Sequence, residues 1–543
     1  MENLTTRVTS QMKEEFTKKG YWKNKILLDY FEEHLKANPD KVAVVDRHFR
    51  LTYRELEQKS NQLAISLRKL GIVKGDVVSF QLPNWHHANI ILVALIKLGV
   101  VINPIIPIYR EREVAFIMEE SRSKAIILPD VFRGFNYVEM LEKLKPSLPH
   151  LQHIIVLGEK MGAGMLSLES MLAGPGDPFP REKIDPNDVQ LLLYTSGTTA
   201  QPKGVQHTHN TLVGEVFIDT EFWKLTKDDV VFSPTPVTHI SGYCNALHTP
   251  LIIGASTVHM DVWDPEKALD LIEKEKCTFI VAATPFLQHM LDSPTLEGRN
   301  IPKFFFVCGG AYIPPELIKR AWKVPGWRVV RVYGSSEAPT VTLGIRPDGP
   351  EQKASETDGF IYNYEVKIVD FDNRSLPPGQ DGEIIVKGAK LFVGYRNQAL
   401  NEESFDAEGW FHTGDLGRMS ADGYLEITGR KKDIIIRGGE NLSVKEIEDM
   451  LHAHPLVDTA AAVAMPDVKM GEKVCAYIKL KKGASLTLDE LQKFLAQQKL
   501  AKQKWPERLE IVEEFPMTPS GKIKKNELRK DIAVKMKMPP VRI

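Results

Sequence analysis

The stretch LLLYTSGTTAQPKG occupies residues 191–204. Its first five residues, Leu191 to Thr195, form a short apolar run, the pattern of a buried strand. Thr195, Ser196, Thr198 and Thr199 then crowd their hydroxyls around Gly197, and Lys203 and Gly204 close the segment. Small residues let backbone N–H groups converge on an anion, hydroxyls add donors, and an ammonium adds a point charge. A nucleotide polyphosphate needs such a loop at a strand end, which is where ligands gather in open α/β sheets. The loop is not of the Walker A type, because no GK[ST] follows at the required spacing. Taken alone, it also reads as a solvated Ser/Thr-rich turn.

The flanking sequence supplies the α/β context. Helical stretches alternate with short β-branched runs along most of the chain. Thr52 and Glu55 form a capping box before an apolar face of Tyr53, Leu56, Leu63, Leu67 and Leu70, and Gly71 ends that helix. Residues 76–81, 125–128 and 153–157 read as strands, and 304–308 and 328–333 as buried strands ending in glycine-containing loops. The most apolar window, 90–108, holds Lys97 and is broken by Pro104 and Pro107, which predicts a buried helix followed by an extended turn rather than a membrane span. Near residue 430 the character changes. GRKKD (429–433) is a polar run between strands at 424–428 and 434–436. Capping boxes at Ser443/Glu446 and Thr487/Glu490 then flank a strand pattern at 474–480. The expected architecture is a large α/β N-terminal domain of several subdomains, with mixed sheets flanked by helices. A small mobile α+β C-terminal domain follows a hinge, with an ordinary surface turn as the competing reading of GRKKD.

Composition narrows the function. The 543 residues carry 70 Lys plus Arg against 71 Asp plus Glu, a formal net charge of −1. That balance argues against a protein built to coat nucleic acid. The four cysteines, Cys244, Cys277, Cys308 and Cys475, form no CxxC pair, which fits a reduced, cytoplasmic compartment. The first residues, MENLTTRVTSQMKEEF, lack the apolar core of a secretory signal.

From the phosphate loop outward the chain resembles the acyl- and aryl-CoA synthetases of the adenylate-forming superfamily. The resemblance rests on LTYREL (51–56), LIKLGVVINPIIP (95–107), GGA (309–311), YGSSE (333–337), GE (382–383) with GY (394–395), GWFHTGDLG (409–417), ITGRKKDIIIRGGENLSVKEIE (427–448) and PMTPSGKIKKNELR (516–529). These motifs stand in the family's order and cover nearly the whole chain. One position departs. The family usually has glycine where this chain has Ala200, and if φ > 0 is needed there alanine strains the loop by about 1 kcal/mol.

The resemblance implies a two-step reaction in which ATP and a carboxylic acid give acyl-AMP, and coenzyme A then displaces AMP. It implies that Thr195, Ser196, Gly197, Thr198, Thr199 and Lys203 cradle the phosphates. Ser336, in the Gly334–Ser335–Ser336 turn, would bond a phosphate oxygen, and Glu337 would help hold Mg²⁺, a hard ion suited to carboxylate oxygen. Gly309, Gly310 and Ala311 would lie against the adenine, with Tyr333 on its other face. Asp415 would take the ribose hydroxyls and Arg430 a further ribose or phosphate contact. Lys522 resembles the family's catalytic lysine of adenylation, although eight basic residues in 522–542 also read as a solvated tail. The family's pivot falls on Lys432, giving domains 1–431 and 432–543. After rotation Gly438, Gly439 and Glu440 would face the site in place of Lys522. His239 resembles a gate residue beside the carboxylate, with a packed histidine as the alternative.

Residues 234–242 contain no acidic side chain, which disfavours amino-acid substrates, whose ammonium needs an anionic partner. No carrier-protein domain follows the small domain, which points the same way. The stretch 104–135 resembles short- to medium-chain fatty acyl and cyclohexanecarboxylate-type CoA ligases. Medium-chain or alicyclic acids are therefore the first expectation, and aromatic acids the second. Transfer to a carrier protein instead of coenzyme A is the rival outcome. The expected partners are small molecules, with no nucleic acid, no integral membrane association and a homodimer left open.

Overall fold

A computed structural model describes residues 4–195, 202–301, 303–311, 313–345, 349–438, 440–498, 500–518 and 522–541. The large lobe is organised around two seven-stranded sheets. In the first, Trp327–Val332, Phe304–Gly309, Phe279–Ala282, Val230–Ser233, Ser256–His259 and Val42–Val45 run parallel, and Arg50–Thr52 closes the edge antiparallel. In the second, Val189–Thr195, Val101–Pro104, Val77–Phe80, Ala125–Pro129, His153–Leu157 and Leu166–Ser167 run parallel, with Lys203–Thr208 antiparallel at one edge. Their continuous apolar runs, such as FFFV and AIIL, suit strands covered on both faces by helices.

One cluster of buried side chains spans both sheets and takes in the helices Leu27–Ala37, Tyr53–Lys69 and His87–Leu98. Helix His87–Leu98 is buried over its whole circumference from Ala88 to Leu98, as an apolar helix between two sheets must be. Its one cation, Lys97, is paired with Glu57 at 2.6 Å. Residues 101–104, expected as an extended turn, are instead a central strand. Pro104 sits at its end opposite Phe80, where a missing N–H costs no ladder bond. The capping box at Thr52 and Glu55 forms in both directions, and Gly71 follows that helix at φ +80°.

An antiparallel meander of Tyr364–Val369, Gly382–Gly388, Phe411–Met419 and Leu425–Arg430 leads to the small lobe. There Glu440–Leu442, Ile435–Arg437, Gly471–Leu480 and Val457–Asp467 form an antiparallel sheet, and Arg508–Ile511 pairs parallel with Gly471–Leu480. Helices Val444–His452, Leu488–Gln497 and Lys525–Met536 cover it, and its core residues come from this lobe alone. Thr487 and Glu490 cap each other as expected, whereas Ser443 accepts from Glu446 N–H and donates its hydroxyl to Thr428 O at 2.7 Å. The polar run GRKKD is shorter than it reads. Gly429 and Arg430 remain in the strand opposite Leu416 and Asp415, because the ladder continues to that point, and only 431–433 turn. The chain is thus a large lobe of mixed sheets with a small α+β lobe. Among the described residues no helix is long and apolar enough to cross a membrane.

Candidate functional site

The phosphate segment is a hairpin. Strand Val189–Thr195 returns as Lys203–Thr208, with Thr195 directly opposite Lys203. Ser196, Gly197, Thr198, Thr199 and Ala200 lie outside the described residues. Residues 392–396 run beside the returning strand, through Val393 N–H to Gln206 O, Gln206 N–H to Gly394 O and Arg396 N–H to Gly204 O. This brings the Lys203 ammonium 5.1 Å from the centre of the Tyr395 ring. The Tyr395 hydroxyl donates to Glu337 Oε1 at 2.7 Å. Burial, then the Glu337 charge, push the phenol far above its ordinary range, so Tyr395 stays a donor. Lys203, Tyr395 and Glu337 are therefore one connected unit.

Glu337 stands on a tight loop. A Cβ at Gly334 would fall 1.7 Å from Pro339 O, so only glycine lets the loop close. Ser335 N–H donates to Ala338 O, and Ala338 N–H returns to Ser335 Oγ, which holds Ser336 and Glu337 at the tip. Phe392 N–H donates to Glu337 O at 2.7 Å. From beneath, His207 Nε2 donates to Ser336 O at 2.8 Å. Burial lowers His207 to about 4, so the ring is neutral and the carbonyl partner fixes its tautomer. His207 and Tyr395 carry this geometry, and the sequence reading gave neither a role. Tyr395 had a weak signal in the GY motif, while His207 sits in an ordinary strand pattern.

On the opposite side Gly309 ends its strand, where a Cβ would meet Val332 Cγ2 at 2.8 Å, and Gly310 follows at φ +84°. Ala311 completes that bare turn. Tyr333 is buried and its hydroxyl donates to Asp415 Oδ2 at 2.8 Å. The other oxygen, Oδ1, accepts from Arg430 Nε at 2.7 Å, across the ladder pair that joins these two residues. Asp415 raises the Arg430 guanidinium above its ordinary value, and burial, then Asp415, push Tyr333 well up.

The small lobe contributes Lys522. Thr518 N–H donates to Lys522 O at 2.6 Å and Lys522 N–H to Thr518 Oγ1 at 2.9 Å, holding a hairpin bridged at Met517 and Ile523. Lys522 keeps an exposed surface yet is closely surrounded by protein, as befits a side chain in an open cleft. That enclosure, then the Arg430 charge, lower its ammonium from the ordinary 10.5, and Asp415 and Glu337 oppose them. Burial, then Lys522, lower His239 to about 4. Its Nδ1 accepts from Ser241, so the proton sits on Nε2. Arg437 and Glu440 face each other across a small-lobe hairpin, and Gly438 N–H donates to Met470 O. Among the described residues no hydrogen bond or ion pair ties Gly438 or Glu440 to the cluster around Glu337. Gly439 is outside the described residues.

Between the lobes the side-chain bonding changes sides within three residues, while Asp433 and Ile434 N–H donate back to Arg430 O at 2.9 and 3.2 Å. Lys431 is held by the large lobe, through its N–H to Gly414 O and its ammonium to Glu383 Oε2, both at 2.9 Å. Lys432 O and the Asp433 carboxylate accept from Arg529 of the small lobe, the latter at 2.6 Å. Burial, then Arg430, lower Lys432 to about 8.

The Glu337 carboxylate, at the tip of its loop, offers a divalent metal an oxygen ligand. Among the described residues no group of three or more His, Cys, Asp or Glu could hold an ion. That donor set fits a hard cation that takes most of its oxygens from substrate phosphates and water.

Such a site, a hairpin closed by Lys203, a carboxylate paired with a guanidinium across a ladder and a lysine brought by a second lobe, suits a nucleotide-using enzyme. The family model described as AMP-binding enzyme matches residues 31–396, and the AMP-binding enzyme C-terminal domain matches 446–522. The chain belongs to this family, the adenylate-forming superfamily. It is 36% identical over 535 residues to a medium-chain fatty-acid–CoA ligase of Escherichia coli (strain K12), covering 97% of this chain and 94% of that one. It is 31% identical to a 2,3-dihydroxybenzoate-AMP ligase of Bacillus subtilis (strain 168), covering 97% of both. Among solved structures it is similar to ATP-bound MatB from Rhodopseudomonas palustris, with TM-score 0.84, 27% identity and coverage of 93% and 99%. The anthranilate CoA ligase AuaEII with anthranoyl-AMP shares the fold at TM-score 0.87 and 23% identity, over 95% and 98% of the two chains.

Proposed function

We propose that the chain is an AMP-forming acid–thiol ligase that converts a carboxylic acid to its coenzyme A thioester. The observation that carries the reading is that the ammonium of Lys522, from the small lobe, lies close enough to Arg430, Asp415 and Glu337 of the large lobe for their charges to act on it. In the first half-reaction a carboxylate oxygen attacks the α-phosphorus of ATP, the bond to the β-phosphate breaks, and pyrophosphate leaves. Charge builds on the α-phosphate and incoming carboxylate, so a preorganised cation there lowers the barrier. Lys522 is that cation. Thr195 and Lys203 hold the leaving phosphates, and Ser336 donates to them. Asp415, oriented by Tyr333 and Arg430, takes the ribose hydroxyls, and Gly309 to Ala311 leave backbone bare for the adenine. Glu337, fixed by Tyr395, would hold Mg²⁺, which neutralises phosphate charge when bound. His239, neutral, borders the carboxylate.

In the second half-reaction the coenzyme A thiolate attacks the acyl carbon and AMP leaves. For this the small lobe, residues 432–543, turns about Lys432, withdrawing Lys522 and presenting Gly438 to Glu440. The change of side-chain partner between Lys431 and Asp433 supports a pivot there.

The acid is a medium-chain aliphatic or alicyclic monocarboxylate. The 36% identical relative named for medium-chain fatty acids supports this, as does the lack of acidic residues at 234–242. Relatives named for aryl acids support a second reading, an aromatic acid. The test is pyrophosphate release with acids from butanoate to hexadecanoate, plus benzoate and cyclohexanecarboxylate, followed by AMP release on adding coenzyme A. The reading expects the highest kcat/KM with hexanoate to decanoate or cyclohexanecarboxylate, and coenzyme A-dependent AMP release. Best turnover of hexadecanoate overturns the acid, and AMP release indifferent to coenzyme A overturns the thiol acceptor.

A further inference from the structure

Tyr333 and Arg430 reach Asp415 from two different sheets. Tyr333 follows the strand Trp327–Val332 of the first large sheet, and Arg430 ends the strand Leu425–Arg430 of the meander. Two charged side chains that none of the motifs contains join these strands in the interior. Asp358 is 6% exposed and Arg331 is 3% exposed. Asp358 Oδ1 accepts from Arg331 Nη2 at 2.6 Å, and Arg331 Nη1 donates to Ser355 O at 2.8 Å. Asp358 Oδ2 accepts from Ile427 N–H, and Asp358 N–H donates to Leu425 O, both at 2.8 Å. The Asp358 carbonyl accepts from the Thr342 hydroxyl, and Thr342 Oγ1 accepts from Tyr333 N–H at 2.8 Å. Direct hydrogen bonds thus run from Asp358 to the strand of Arg430 on one side and to the backbone of Tyr333 on the other. Glycine at 359 lets these segments pass so closely: at φ +109°, a Cβ there would fall 2.5 Å from Gly344 N and 3.0 Å from Thr342 Oγ1.

The bond to Ile427 falls where the ladder needs it. Met419 pairs with Leu425, Arg418 with Glu426 and Gly417 with Ile427, and the register then shifts, so that Leu416 meets Gly429 and Asp415 meets Arg430. Thr428 is the extra residue of a bulge. Without that bulge Asp415 would face Gly429 and lose its guanidinium partner. Asp358 grips Leu425 and Ile427, which lead into the bulge. Its carboxylate is charged and held from behind by Arg331, so it makes the stronger kind of hydrogen bond to the Ile427 N–H.

We propose that Asp358, fixed by Arg331, is the positioning residue that sets Tyr333 and Arg430 about Asp415, and so gives the site its preference for a nucleotide with both ribose hydroxyls. This rests on the ligase reading above, in which Asp415 takes those hydroxyls. A carboxylate free to rotate would meet ribose and water alike. One held by a phenol on one oxygen and a guanidinium on the other presents its remaining lone pairs in a single direction. Asp358 reaches the backbone that carries both of those donors, and so sets the direction without touching the nucleotide.

The test measures binding of AMP and of 2′-deoxy-AMP to the full chain by titration calorimetry, which needs no turnover. Wild type is expected to bind AMP at least about tenfold more tightly, the worth of a hydrogen bond to a charged group. Arg331→Met with Asp358→Ala removes both charges together, so that neither is left buried alone, and is expected to reduce that preference at least about fivefold. Thr342→Val, a smaller change in case the double variant does not fold, is expected to reduce it about threefold, and Thr342→Ser to keep the wild-type value. An unchanged preference in a folded variant overturns the proposal, even with a lowered urea midpoint, because the pair then only stabilises. So does a loss that Thr342→Ser shares. A wild type that binds both nucleotides equally removes Asp415 from the ribose role, and the proposal falls with it. Preference for AMP without pyrophosphate release from any acid defeats the ligase reading instead.

Discussion

Lys390 is fully buried and Lys522 keeps an exposed surface, and their ammonium groups move in opposite directions. At Lys390 burial works against the charge, but Asp219 and Glu215 outweigh it and hold the ammonium above its ordinary value. At Lys522 the loss of solvent is reinforced by Arg430, and Asp415 and Glu337 do not make up the difference. Lys390 makes three hydrogen bonds within one lobe. The hydrogen bonds recorded for Lys522 among the described residues are those of its backbone. A cation whose partners are complete is fixed to its surroundings. A cation whose surroundings are incomplete without an anion is ready for one, and a phosphate supplies it.

The largest effect should come from breaking the complete cluster. Lys390→Ala strands buried carboxyls and should cost about 3–5 kcal/mol of stability, read as a lowered urea midpoint. An unchanged midpoint would mean that water already serves these groups. Lys522→Ala should leave the midpoint near wild type. It should slow acyl-AMP formation by about 100- to 1000-fold, about 3–4 kcal/mol, while thioester formation from supplied acyl-AMP continues at nearly the wild-type rate. Equal loss of both half-reactions would erase the proposed division between the two lobes.

A third lysine gives the smallest effect and sharpens the contrast. Lys432, lowered to about 8 in this arrangement, returns towards 10.5 wherever it is exposed. The neutral form is the one favoured here, so the arrangement is at its full disadvantage below about pH 8. It gains as pH rises from about 8 to 10.5. Fluorescence transfer between labels on the two lobes should shift towards the arrangement described here between pH 7 and 9.5. Lys432→Met, always neutral, should lose that shift. A shift that survives the substitution assigns it to another group.

Much of the architecture was legible because it is local. The strands at 125–128, 153–157 and 304–308 announce themselves by unbroken apolar runs, and Thr52, Gly71 and Thr487 mark helix ends by cap chemistry that acts over three or four residues. The departures have tertiary causes. Residues 101–104 read as a turn because of Pro104 and the nearby Pro107, and became a central strand because neighbours on both sides supply its ladder. Arg430 read as part of a polar connection, and stayed in the meander because Asp415 faces it. At the site, Glu337, Asp415, Arg430 and Lys522 stood out by motif. His207 and Tyr395 did not, since their role lies in partners 129 and 58 residues away.

The order of motifs along the chain was enough to point to the family, which the family models bear out, and to nominate residues for phosphate, ribose and cation roles. Each of those depends on residue type and short spacing, which a sequence states directly. Only the tertiary structure decided that Lys522 comes within reach of the charges of Arg430, Asp415 and Glu337, and that Glu215, Asp219, Thr340 and Lys390 meet in the interior. Both are relations between groups far apart in the chain, and hydrogen-bond geometry and electrostatics depend on distance in space rather than on position along it.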